Sequence, residues 1–353
     1  MVKLGIVAFA NDSGLGAQTR RLVYMLKPYR ILVIDSSGFS KNAAQHFDWY
    51  SGFSGYKVNG FPTNHEVKVF MNGLTDVIVC ENPLNFFMLD YAKANNINLF
   101  IQSNYEFCDH LTNKLTLPTK FLMPSYWKID EMKAEFGEDR VIHLPPPINP
   151  AEFKEAREIN FGRSNHDKPR FLHIVGTLAA NDRNGTLDLL ESLSYSKADF
   201  ELVIRSQREL PTNYIRQDSR IKYDMNNAKD AQDMYKDFDC MILPRRYGGL
   251  SLTTNEALMS GLPVIMSDIS PNNQLLPRNW CIPAHKIGEF KTRGMTEIYG
   301  VDKKMLGRTI DWLCDQNLDI MKSQAFGIGY DSFAESNLKE KYDRLFDREQ
   351  SQS

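Results

Sequence analysis

The chain has no apolar run near the 18 or so residues of a bilayer span, so no membrane-spanning helix is expected in it. Cysteine is scarce. Five in 353 residues (Cys80, Cys108, Cys240, Cys281 and Cys314) are odd in number and widely scattered, which excludes a disulfide framework. Three sit in or beside apolar runs, the pattern of buried, reduced thiols in a cytosolic protein. No Cys/His spacing suits zinc, and there is no internal repeat or low-complexity tract. Neither sign of charge dominates: 42 Lys and Arg stand against 44 Asp and Glu, a net charge of −2. Bulk attraction to polyanions is thereby excluded, though a local basic patch is not. The start, Met1 to Phe9, lacks a long h-region and a cleavage site, so it reads as a buried first strand.

What is present is an ordinary globular composition, 42% hydrophobic and 24% charged, in a chain long enough for two cores. Short apolar runs alternate with helical patterns throughout, the mark of a parallel α/β fold. In the first half the runs are 3–9, 29–35, 77–80, 98–102, 120–123 and 141–144. In the second they are 170–175, 200–205, 221–223, 239–243 and 264–266. Amphipathic helices are expected over 17–26, 186–193, 228–236 and, with Leu338, Tyr342, Leu345 and Phe346 on one face, 335–346. The triproline Pro145-Pro146-Pro147 cannot be a central strand or mid-helix, because proline fixes φ and donates no hydrogen bond. It reads as the exit of a first domain, followed by a polar linker through Pro169.

The most informative stretch runs from Pro244 to Ile265. An apolar strand ends in Arg245-Arg246-Tyr247-Gly248-Gly249-Leu250-Ser251, and a helix carrying Glu256 follows before the next apolar strand. Paired glycines let backbone approach a ligand closely. The helix start offers free N–H groups and the positive dipole end to an anion. Glu256, about one turn in, is placed for sugar hydroxyls. The ligand so described is a phosphate joined to a polyol, as in a nucleotide sugar.

Glu256-Ala257-Leu258-Met259-Ser260-Gly261-Leu262-Pro263-Val264-Ile265 resembles the donor signature of GT-B glycosyltransferases, especially the retaining family-4-type group. The resemblance implies two doubly wound Rossmann-like domains facing across a cleft, 1–160 on the acceptor side and 161–330 binding the nucleotide sugar. Residues 331–353 would form a helix packing back toward the first domain, and a tail. It gives Glu256 the nucleotide ribose. The family's first Glu, which contacts the transferred sugar, has no counterpart, because arginines stand in its place. Where the family has Gly-Arg-Leu and then Lys-Gly, this chain has Gly176-Thr177-Leu178 and Asp182-Arg183-Asn184-Gly185. Gly176 fits, and Arg183 becomes the cation for the leaving diphosphate. Arg205, Arg245 and Arg246 are further cations, each weighed against an ordinary solvated arginine. Gly248, Gly249, Leu250 and Ser251 complete the donor set. The resemblance is to the GT-B group rather than to the metal-dependent GT-A architecture; no metal and no bound cofactor are expected, and a UDP sugar is the expected co-substrate.

The first strand feeds Asn11-Asp12-Ser13-Gly14-Leu15-Gly16. Alone this is a weak signal, equally a tight βα turn, but the family has a glycine-rich loop there, which puts Gly14 and Gly16 near the donor phosphate. Ser13 to Arg20, with Ile34-Asp35-Ser36, is also similar to tailed-phage glycosyltransferases. Where the retaining family carries a His with an acidic neighbour, this chain has Ser103-Asn104-Tyr105-Glu106. Glu106, Asp12 and Asn104 are the catalytic candidates, with Asp109 a further carboxylate. Arg205, Arg208, Arg216, Arg220 and Lys222 crowd one segment with Tyr214 and Tyr223; a nucleic-acid groove and a mixed solvated surface are both open there.

The expected function is glycosyl transfer from a nucleotide sugar with retention, in the cytoplasm, or the host cytoplasm for a phage protein. The favoured acceptor is a hydroxymethylated pyrimidine in DNA. Alternatives are a cell-envelope or lipid-linked acceptor, a non-catalytic nucleotide-sugar binder, and an epimerase or phosphorylase on the same fold. No integral membrane association is expected, and oligomeric state is undetermined.

Overall fold

The computed structural model describes residues 1–38, 44–162, 166–176, 181–226, 228 and 230–347. Thr177, Leu178, Asn165 and the tail from Gln350 lie outside these. The chain divides into two compact units. Met1–Pro147, Thr292–Gly294 and Glu335–Ser353 form the first; Ile148–Lys291 and Met295–Ala334 form the second.

The first unit holds a seven-stranded parallel sheet of β1 (Leu4–Phe9), β2 (Arg30–Asp35), β3 (Gly55–Asn59), β4 (Asp76–Cys80), β5 (Asn98–Gln102), β6 (Lys120–Met123) and β7 (Val141–His143). Its order is β3-β2-β1-β4-β5-β6-β7. Helices α1 (Gly14–Leu26), α2 (Asn64–Met71), α3 (Phe87–Ala94), α4 (His110–Leu115) and α5 (Ile129–Phe136) connect the strands. β1 and β4 are buried along their whole length, as a sheet covered on both faces requires. Each fully buried large apolar side chain contributes about 1.5–3 kcal/mol. Strand order reverses between β1 and β4, so this sheet's crevice for ligands lies at their carboxyl ends.

The second unit repeats the plan with β8 (Arg170–Gly176), β9 (Glu201–Ser206), β10 (Ile221–Asp224), β11 (Cys240–Leu243), β12 (Val264–Ser267) and β13 (Cys281–Ile282) in the order β10-β9-β8-β11-β12-β13. An antiparallel hairpin follows, β14 (Ala284–Lys291) and β15 (Met295–Val301). The helices are α6 (Lys154–Phe161), α7 (Thr186–Ser192), α8 (Leu252–Met259), α9 (Asn272–Leu275), α10 (Lys303–Cys314) and α11 (Asp319–Phe333). Strand order reverses between β8 and β11. The polar stretch after the prolines contains α6, whose Asn160 is buried and donates to Tyr235 O and Ser260 O at 3.0 Å. Within 228–236 the described residues form only a 3-10 turn, Gln232–Met234.

The carboxyl-terminal helix α12 (Glu335–Asp343) belongs to the first unit, where Leu338, Tyr342 and Phe346 share a core with Ile6, Ile78 and Phe100. Gln102 Nε2 donates to the Tyr342 hydroxyl and to Leu144 O, both at 2.8 Å. Tyr342 in turn donates to Pro145 O at 2.9 Å. The triproline exit is thereby pinned to helix and sheet. All five cysteines are free, and burial pushes the Cys108 thiol up to about 12.

Candidate functional site

In the second unit, Gly176 ends β8 and the turn from Pro244 to Ser251 leaves β11, so both stand at the strand-order reversal. Gly176 has φ +64, and among the described residues nothing lies within 4 Å of where a Cβ would be. Its glycine is required by backbone conformation, and the space beside it is open. Gly185 is tighter: φ is +70, and a Cβ would lie 2.0 Å from Pro244 O. The 181–185 loop is therefore clamped to the glycine turn, a contact tightened by Arg246 N–H donating to Arg183 O at 2.8 Å.

Gly248 carries the central geometry. Its φ is +103, and a Cβ there would meet Arg183 Nη2 at 2.5 Å and Arg245 Nη2 at 2.9 Å. Two guanidiniums from different segments thus flank one glycine. Such a convergence of like charge is stable where an anion neutralises it. Arg245, 3% exposed, also shapes the turn: Nη1 donates to Gly249 O and Nη2 to Leu250 O, each at 3.0 Å. The Arg183 guanidinium lies 5.7 Å from the Tyr247 ring centroid.

Ser251 caps α8, its hydroxyl accepting from Thr254 N–H at 3.4 Å. Glu256, on that helix, is buried and accepts from the Tyr235 hydroxyl at 2.7 Å. Asp182 holds the start of α7 through the N–H groups of Thr186 and Leu187 at 3.0 and 2.8 Å. Burial raises its pKa above the usual carboxylate value.

Two expected cations have other work. Arg246 forks Asp188, with Nε to Oδ2 at 3.0 Å and Nη2 to Oδ1 at 2.7 Å. Arg205 pairs with Asp224 at 3.1 Å and donates to Asp233 O at 2.8 Å. The charge of both is thus paired with a carboxylate of the fold, whereas the guanidiniums of Arg183 and Arg245 lie at Gly248. In the basic segment Arg220 forks Asp218, Lys222 pairs with Glu201, and exposed Arg216 donates to the nearby Asn213 O and Ile215 O.

In the first unit, Ser13 caps α1 by accepting from Gly16 N–H at 3.1 Å, and buried Asn11 accepts from Ser13 N–H. A Cβ on Gly16 would lie 1.9 Å from Asn11 O, so this glycine is required by close strand–helix packing. Gly14 is exposed at the helix start. Asp12 pairs with His46 Nε2 at 2.7 Å, and His46 stacks on Trp49. That carboxylate–imidazole pair stands at the carboxyl end of β1, beside the reversal point. At the end of β4, Glu81 adopts φ +65, a conformation rarely taken by a non-glycine residue. Glu106 is buried at 2% exposure. The carbonyl of buried Asn104 accepts from Phe107 and Cys108 N–H, each at 3.0 Å, and so holds the turn after β5. Asp109 caps α4 through Thr112 N–H at 3.0 Å.

Residues 169–291 match the family model described as glycosyl transferases group 1. The match covers about a third of the chain and lies within the second unit. A search of curated protein sequences finds no relative. Among solved structures, a glycosyltransferase from Rickettsia africae is 14% identical with a TM-score of 0.71, covering 100% of this chain and 99% of its own. A sucrose-phosphate synthase from Thermosynechococcus elongatus is 12% identical with a TM-score of 0.70, covering 98% of each chain. An α-glucosyltransferase in complex with UDP-glucose and DNA containing an abasic site is 11% identical with a TM-score of 0.59, covering 97% of this chain and 98% of its own. These likenesses establish the GT-B fold. The family match, not the structural likeness, indicates an enzyme of the glycosyltransferase class.

Tyr235 and Asp188 were not legible as neighbours of this turn, because they reach Glu256 and Arg246 from 21 and 58 residues away. His46 was missed for the same reason; nothing local marks an imidazole that meets Asp12 across a strand and a loop. Among the described residues no group of three His, Cys, Asp or Glu side chains is placed to hold a metal ion. No described helix is long and apolar enough to cross a membrane.

Proposed function

We propose that the second unit binds a nucleoside diphosphate sugar, with the diphosphate at Arg183, Arg245 and Gly248 and the ribose on Glu256. The convergence of two guanidiniums on a side-chain-free position at the β8/β11 reversal carries this reading. A departing diphosphate gathers negative charge, and fixed cations and α8 amides stabilise it without reorganising. UDP is the expected nucleotide, in keeping with the UDP-glucose complex of the similar α-glucosyltransferase.

Transfer with retention is the outcome that the resemblance implies. Here the leaving phosphate itself takes the acceptor's proton. The anomeric configuration of the product, read by NMR, tests it; an inverted product overturns it and points to Asp12, paired with His46, or to Glu106 as a base.

For the acceptor we propose a hydroxymethylated pyrimidine in DNA, the reading supported by the tailed-phage resemblance and by the DNA bound to the similar α-glucosyltransferase. One observation favours a second reading, a cell-envelope glycan: within 205–222, Arg205, Arg220 and Lys222 are each paired with a carboxylate of the fold. Incubation with labelled nucleotide sugars, with and without hydroxymethylated DNA, separates the two. Donor-dependent label on DNA is the expected result; release of free sugar with unlabelled DNA leaves the envelope reading standing.

A further inference from the structure

The hairpin β14–β15 is an insert with its own closure. Asp302, which caps α10, donates its N–H to Pro283 O at 2.9 Å. The sheet's last strand therefore passes to α10 across a hydrogen bond that spans the whole hairpin. A two-stranded hairpin is marginal alone and needs a surface to bury its apolar face. Here Thr296 and Ile298 are buried, and a bulge between Lys286 and Gly288 bends the first strand.

The surface it packs on is the glycine turn. Tyr299 N–H donates to Arg246 O at 3.0 Å. The Phe290 ring meets Tyr247 edge-on, with centroids 4.9 Å apart and planes at 70°. A Cβ at Gly300 would lie 3.9 Å from Asp188 Oδ2, the carboxylate that forks Arg246. Tyr247 is buried, and its ring also faces the Arg183 guanidinium. Phe290, Tyr247 and Arg183 thus form a chain of ring contacts ending at Gly248. A guanidinium on a long flexible stem neutralises a leaving group well only when its orientation is fixed beforehand.

We propose that Phe290 is a positioning residue for the donor: by fixing the Tyr247 ring it aims Arg183 at the diphosphate, and the hairpin is the clamp that holds that geometry. This rests on the donor reading above. It assigns the hairpin to donor affinity, a role that the glycine motif alone does not reveal.

Calorimetric titration with UDP of the wild type, Phe290→Ala, Phe290→Tyr, Arg183→Ala and the Arg183→Ala/Phe290→Ala double variant tests it. Phe290→Ala is expected to weaken UDP binding about five- to tenfold and Phe290→Tyr to restore it, since the edge-on ring is kept. The double variant is expected to bind no more weakly than Arg183→Ala, because both substitutions remove one contribution. Wild-type affinity in Phe290→Ala overturns the proposal. So do independent, multiplying losses in the double variant, which mean general loosening. Should Phe290→Ala fail to fold, Phe290→Leu keeps the apolar volume without the ring and is read by the same criteria. Failure of the wild type to bind UDP, ADP, GDP or CDP overturns the donor reading itself, and is distinguishable from an unaffected Phe290 variant.

Discussion

The hydroxyl of Tyr235 donates to Glu256 Oε2 at 2.7 Å, with both side chains buried. A carboxylate that is to accept from ribose hydroxyls must first be held in one rotamer, and this bond holds it. A hydrogen bond to a charged group contributes about 1.5–3 kcal/mol. Tyr235→Phe is therefore expected to raise the donor KM about tenfold or more, with a smaller change in kcat. Steady-state kinetics checks this; an unchanged KM would show that the tyrosine only packs.

The two strained glycines separate structure from binding. Alanine at Gly185 meets Pro244 O at 2.0 Å with φ at +70, and rigid backbone cannot yield. Gly185→Ala should cost roughly 2–4 kcal/mol of stability, read by denaturant unfolding. Alanine at Gly248 meets the ends of flexible arginines, so it should cost less stability, about 1–3 kcal/mol, and at least tenfold in UDP affinity.

The arginines divide in the same way. Arg246→Ala leaves the buried Asp188 carboxylate without its forked partner, a loss of about 3–5 kcal/mol. Arg183→Ala should lower the unfolding midpoint less than Arg246→Ala does and lower kcat/KM about a hundredfold. If Arg246→Ala instead proves stable and inactive, the assignment is reversed.

How far the sequence disclosed this arrangement depended on range. β1, β4 and β11 were plain, since strands buried on both faces read as continuous apolar runs. β3 was not, because in Gly-Tyr-Lys-Val-Asn only Val58 is buried. The hairpin escaped for a related reason, its alternation broken by the bulge before Gly288. A helix expected over 228–236 gave way to side chains bonding their own backbone: Asn226 N–H to Asp224 Oδ1 and Asp233 N–H to Asp230 Oδ1, each at 3.0 Å. Around the candidate site, the glycine turn and Glu256 could be grouped from the sequence because they are neighbours in it. Which arginines were matched internally was not legible, since Asp188 and Asp224 arrive from other elements.

Acid should destabilise the fold through His173. It is fully buried, with its ring nitrogens against Ile242 O and Thr186 Oγ1, and burial lowers its pKa from 6.5 to about 4. Above pH 6.5 both folded and unfolded forms are neutral, and the residue is without effect. Between 6.5 and 4 the unfolded chain takes up a proton that the folded chain refuses. Stability therefore falls with pH, by about 3 kcal/mol once pH has passed through the folded value. His173→Gln should flatten the acid limb of the urea midpoint against pH; an identical slope would contradict it.

Turnover by the Glu256→Ala variant, assayed as nucleoside diphosphate release from a UDP sugar beside the wild type, bears most directly on the donor site. The site described here predicts release by the wild type and a loss of at least a hundredfold in a variant that remains folded. Undiminished release by folded Glu256→Ala would contradict it.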